Sequence, residues 1–162
     1  MYSFDRVVEE ERREFLEKLR IACEEQGLDF SLMSQLKSFN ATAIAEITEE
    51  DVAESGTDTA VYVVSRNSGE GSDRNNAPGD YQLSDMDIKN IRFIAKNYQN
   101  SIVLLNVGGI LDSKVLREEG GPSAVVLVGQ LGNIGGLAIA DMLKGKAYPS
   151  GHLTDTWAEN YE

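Results

Sequence analysis

The chain has 162 residues, a length that fits one domain with a sizeable buried core and leaves no room for two large ones. Hydrophobic residues make up 41% of it, and 15 basic against 27 acidic residues give a net charge of −12. A surface that acidic repels phosphate backbones and anionic membranes, so nucleic acid and membrane are excluded as default partners, whereas neutral ligands such as sugars meet no penalty. One cysteine, Cys23, and one histidine, His152, are too few for an internal disulfide or a zinc site of the usual ligand type. Apolar runs such as Ser101–Val107 fall far short of a membrane span. The N-terminus carries no apolar signal-peptide region, which with the lone thiol sets a cytoplasmic expectation.

The first predicted element is a helix. Phe4, Val8, Phe15, Leu19 and Cys23 recur at helical spacing, charged residues fill the other faces, and Gly27 is a plausible stop. From Leu28 to Ile47 the pattern weakens, leaving irregular chain with room for a short helix. Thr48 ahead of Glu49, Glu50 and Asp51 suits the start of a short helix ending near Ser55. Thr59–Ser65 is a β-branched apolar run, predicted as a strand buried on both faces. A polar, glycine-containing loop follows from Arg66 to Leu83, and Ser84 opens a helix to about Tyr98. Ser101–Val107 is a second buried strand, Asp112–Arg117 a short helical segment, and Ala124–Val128 a third strand. Gly129–Gly136 reads as a turn, Leu137–Leu143 as helical, and His152–Trp157 as a last, antiparallel strand.

Alternating strands and helices predict an α/β fold, a three-layer sandwich with a mainly parallel sheet plus one antiparallel strand. Residues 1–56 form an N-terminal helical segment of the domain and residues 57–162 its core. Ligands of such sheets gather at the carboxyl ends of the strands. The loop Ser65–Arg74 (SRNSGEGSDR) leaves one of those ends and places Glu70 between two glycines, with Arg66, Asp73 and Arg74 around it. On the residues alone, an exposed acidic loop held by local salt bridges is the favoured reading over a catalytic carboxylate, because charged glycine loops are common. The turn Gly129-x-x-Gly132-x-x-Gly135 lacks the spacing of a dinucleotide site, and no cofactor or metal is expected. Trp157 reads as a packing anchor, and Arg66, Asp73 and Arg74 as residues that shape the loop or an interdomain contact.

Further motifs join this loop in order. Asp58–Asn67 (DTAVYVVSRN) runs into Ser68–Arg74 (SGEGSDR). Leu83–Ile94 (LSDMDIKNIRFI), Ser101–Gly109 (SIVLLNVGG), Ala124–Gly136 and Ala140–Trp157 (ADMLKGKAYPSGHLTDTW) follow. This set resembles the C-terminal α/β domain of glycoside hydrolase family 3, the β-glucosidases and their relatives, over about residues 57–162. The resemblance implies retaining hydrolysis of β-linked glucose or related sugars. It also implies an aspartate nucleophile on a separate (β/α)₈ barrel domain, with Glu70 as the general acid/base of the shared site. The chain then reads as a domain excised from such an enzyme, inactive by itself and prone to self-association through the face that would meet the barrel. The rival reading is a stand-alone α/β module that binds sugar or protein without catalysis.

Overall fold

A computed structural model of the chain describes residues 3–36, 44–66 and 74–157. Their contacts divide the chain into two compact units, Met1–Ala45 and Glu46–Glu162. The first unit holds α1 (Ser3–Gln26) and α2 (Phe30–Leu36), which pack on each other. Phe15, Leu16 and Leu19 are half-buried along the α1 stripe and Cys23 is buried. Gly27 ends α1 with a φ of +65°, a left-handed turn that glycine adopts without strain.

The second unit opens with α3 (Glu49–Ser55), fixed by a reciprocal cap. The Asp51 backbone N–H donates to the Thr48 hydroxyl, and the Asp51 carboxylate accepts the Thr48 N–H at 2.7 Å. α3 buries no residue, so its ends carry much of its stability. Thr48→Ala is expected to cost about 1 kcal/mol, readable as a lower urea midpoint at an unchanged m-value.

Three strands form the sheet: β1 (Thr59–Arg66), β2 (Asn100–Val107) and β3 (Ala124–Leu127), all parallel, in the order β1-β2-β3. Thr59 lies opposite Asn100 and Arg66 opposite Val107. This register puts Tyr62, Val64 and Arg66 on the same face as Val103, Leu105 and Val107. α4 (Asp85–Asn97) packs against β1 and β2, and its Ile91 joins Val64, Val103, Leu105, Val107 and Leu111 in the core. Ser84 caps α4. A 3-10 turn at Val115–Arg117 and α5 (Gly135–Leu143) follow β2 and β3.

The α/β architecture is as expected, and two details differ. β2 is buried on both sides, with Leu104 and Leu105 each 2% exposed, but β1 is not: Val64 is buried while Val61 and Val63 are 44% and 52% exposed. α4 and the core cluster cover the face of β1 that carries Val64, while Val61 and Val63 lie on the opposite face of this edge strand. The expected antiparallel strand at His152–Trp157 does not form. Among the described residues no backbone hydrogen bond joins this segment to β3, and it bends at Thr154–Asp155. Its anchor is a side chain instead, since Trp157 packs against the core cluster.

Candidate functional site

The carboxyl end of β1 is where chemistry-bearing side chains converge. Arg66 is the last residue of β1 and lies on its core face, so its guanidinium is directed among the groups that cap α4. Its Nη2 meets Asp87 Oδ2 at 2.8 Å, with the two side chains only 10% and 2% exposed. Asp87 is served by four donors. Oδ2 takes the Arg66 guanidinium, the Ser84 N–H at 3.1 Å and the Ser84 hydroxyl at 2.8 Å, while Oδ1 takes the Tyr62 hydroxyl at 3.0 Å. A buried ion pair is tolerable when its remaining valences are met in this way.

The electrostatics follow from that geometry. Burial alone would raise the Asp87 pKa, but hydrogen bonds from Arg66 and Ser84 and the Arg66 charge outweigh it and hold the carboxyl below its ordinary value. Burial, then the adjacent Asp87 charge, pushes the Tyr62 phenol upward, so it stays a neutral donor. The carboxyl end of β1 therefore carries a buried ion pair whose carboxylate is met by hydrogen bonds on both oxygens.

The other strand ends lie close by in the topology. Asn106, one residue before the end of β2, donates from Nδ2 to the Ser65 hydroxyl at 3.2 Å. The backbone N–H groups of Val128 and Gly129, just past β3, donate to the Leu105 carbonyl at 3.0 and 3.3 Å. Arg74 donates from Nη1 to the Ile110 carbonyl at 3.0 Å and faces Asp80. Strand ends and loop bases are thus tied laterally across the carboxyl edge of the sheet.

Of the residues the sequence singles out, Arg66 and Arg74 are brought to this edge. Glu70 and Asp73 lie outside the described residues. His152 and Trp157 are elsewhere, lining an apolar cleft of about 500 Å³ with Val125, Leu127 and Leu153. Cys23 is buried in the first unit. Two acids that composition and periodicity pass over, Asp80 and Asp87, prove central to the edge. For Asp87 the Ser84-x-x-Asp87 spacing is a usable signal, since an acid at the third helical position returns to the cap. For Asp80 no comparable signal exists in the sequence.

Comparison with known proteins identifies the family to which this fold belongs. Residues 8–162 match the family described as glycosyl hydrolase family 3 C-terminal domain. Beta-glucosidase A of Butyrivibrio fibrisolvens is 35% identical over 127 residues, 65% of this chain and 15% of the relative. A beta-glucosidase of Ruminococcus albus is 37% identical over 106 residues, 65% of this chain and 11% of the relative. The chain therefore spans only a small part of the length of these relatives. Among solved structures, a beta-glucosidase of Paenibacillus barengoltzii superposes with a TM-score of 0.68 at 32% identity, covering 73% of this chain and 13% of that one. Beta-glucosidase 3B of Thermotoga neapolitana in complex with alpha-D-glucose gives 0.68 at 27% identity, covering 86% and 23%. With the family match spanning both units and the fold in agreement, the chain belongs to the glycosyl hydrolase family 3 C-terminal domain family.

Proposed function

We propose that this domain supplies Glu70 as the general acid/base of a retaining β-glycosidase, in a pocket completed by a barrel domain that carries the aspartate nucleophile. One observation supports the reading above others. The segment bearing Glu70 departs from the carboxyl end of a parallel strand, where such sheets present ligand-binding groups, and it is flanked by two arginines anchored in the fold. The substrate class is an O-linked β-glucoside, in keeping with relatives named beta-glucosidases.

The chemistry needs two carboxyl groups about 5–5.5 Å apart across the scissile bond. Glu70, protonated, gives its proton to the glycosidic oxygen as the aspartate attacks the anomeric carbon and the aglycone departs as an alcohol. Glu70, now a carboxylate, then takes a proton from water. The water oxygen bonds to the anomeric carbon, the aspartate is released, and the product keeps its β configuration. For the first step Glu70 must hold a proton above its ordinary range of about 4.3. Desolvation against the sugar and repulsion from the aspartate provide that shift, and both require the barrel.

The isolated chain is accordingly a half-site. An NMR titration of Glu70 in the chain alone is expected to give an ordinary carboxylate value. Calorimetry with glucose or cellobiose is expected to show no binding tighter than about millimolar. Joined to a family 3 barrel, the same chain is expected to hydrolyse an aryl β-glucoside. Tight sugar binding by the chain alone would contradict the half-site and favour an autonomous binding module.

A further inference from the structure

β3 is less well covered than its register leads one to expect. Val125 lies opposite Val103 and Leu127 opposite Leu105, so all four share the core face of the sheet. Val103 and Leu105 are 0% and 2% exposed there, yet Val125 and Leu127 are 40% and 43% exposed. α4 packs against β1 and β2, and beside it the β3 side chains floor the open cleft of about 500 Å³. Its far wall comes from the chain after α5, where Leu153 is exposed and Trp157 is held against the core cluster.

The polar groups of this cleft are few and of one sign. Arg117, His152 and Ser113 line it, and no acid does. That is notable in a chain with 27 acidic and 15 basic residues. Among the described residues, the side chains of Arg117, His152 and Ser113 make no hydrogen bond or ion pair. The permanently charged, planar guanidinium of Arg117 therefore borders an apolar surface with its donors unused. The net charge of −12 opposes an anion only at long range, since physiological salt screens it beyond about 8 Å. Inside the cleft the local charge decides.

We propose that this cleft binds a small aromatic carboxylate, its ring against Val125, Leu127, Leu153 and Trp157 and its carboxylate on Arg117. Small-molecule sites have this size and this make-up, an apolar lining with a few polar groups that orient the ligand. A carboxylate matches the guanidinium fork with two parallel hydrogen bonds. A sugar matches the lining badly, because its hydroxyls would face Val125, Leu127 and Leu153 without partners. The site is independent of the role given to Glu70.

Trp157 is the only tryptophan of the chain, so its fluorescence reads the cleft directly. The 162-residue chain is titrated with phenylacetate, with the neutral phenylacetamide and with acetate. Phenylacetate is expected to shift the Trp157 emission saturably, with a Kd of about a millimolar or tighter, and acetate to leave it unmoved. Arg117→Gln should weaken phenylacetate about tenfold or more and leave phenylacetamide unchanged. Leu153→Asp, which sets an acid in the cleft, should abolish the phenylacetate response. Arg117 and Leu153 are both exposed, so each variant should keep the wild-type urea midpoint. No saturable response, an equal loss of acid and amide in Arg117→Gln, or full phenylacetate binding by Leu153→Asp would overturn the inference. So would an emission that changes with protein concentration alone and ignores phenylacetate, because a second copy then fills the cleft.

Discussion

Asp87→Ala is expected to destabilise the domain by about 3–5 kcal/mol, enough to unfold a marginal one. The loss comes less from the missing pair than from what stays behind. Arg66 is 10% exposed and would keep its charge without the carboxylate that faces it, while the Ser84 N–H and the Tyr62 hydroxyl would lose their acceptor. Asp87→Asn keeps the shape and one acceptor, so a smaller loss is expected. Urea unfolding at neutral pH reads both; an unchanged midpoint in Asp87→Ala would remove the network from the account.

The same carboxylate sets an acid limit. The Asp87 pKa is lowered in the folded chain. Its stabilisation is therefore complete well above the unfolded value of about 3.9 and is lost as pH falls below that value and through the lower folded one. The urea midpoint of the wild type should decline as pH falls below about 4 and on through the lower folded value of Asp87, and that of Asp87→Asn should decline less. Parallel declines would show that other carboxylates set the acid limit.

The helices were legible where short-range chemistry defines them. Thr48 with Asp51, and Ser84 with Asp87, mark two starts through side chains three residues apart, and Gly27 marks a stop. The strands were legible as β-branched runs, but their burial was not. Val61 and Val63 look like Val64 in sequence, yet only Val64 lies on the face that α4 and the core cluster cover. His152–Trp157 resembled a strand because a turn precedes it, yet Trp157 is held by the core rather than by a ladder.

The candidate site divides in the same way. Glu70 stands out only as part of a spaced set of motifs, since an acid between glycines is common on any surface. Asp87 and Asn90 were hidden inside an amphipathic helix pattern that counts polar residues as outward. Both are buried because they serve distant partners: Asp87 bonds Arg66, 21 residues away, and Asn90 accepts the Ile47 N–H, 43 residues away. Periodicity carries no information at that range. Asp80 belongs to a polar turn that the sequence marks as loop; its backbone carbonyl accepts from Arg66 and its carboxylate lies 4.0 Å from Arg74.

The largest functional effect is expected at Glu70. In a protein joining this chain to a family 3 barrel, Glu70→Ala should lower turnover of glucosides with poor leaving groups by about 10²–10⁴-fold, the usual worth of a positioned acid/base. With an activated aryl β-glucoside the first bond still breaks, since the leaving group departs without a proton. The glycosyl-enzyme then waits for water that nothing deprotonates. A small anion needs no base, so azide should bypass that step. The direct measurement is turnover of the activated aryl β-glucoside by Glu70→Ala with and without azide, with the product identified. Slow turnover restored by azide with formation of the β-glucosyl azide is the result expected for Glu70 as acid/base; unchanged turnover in Glu70→Ala, or no azide product from a slowed enzyme, would contradict it.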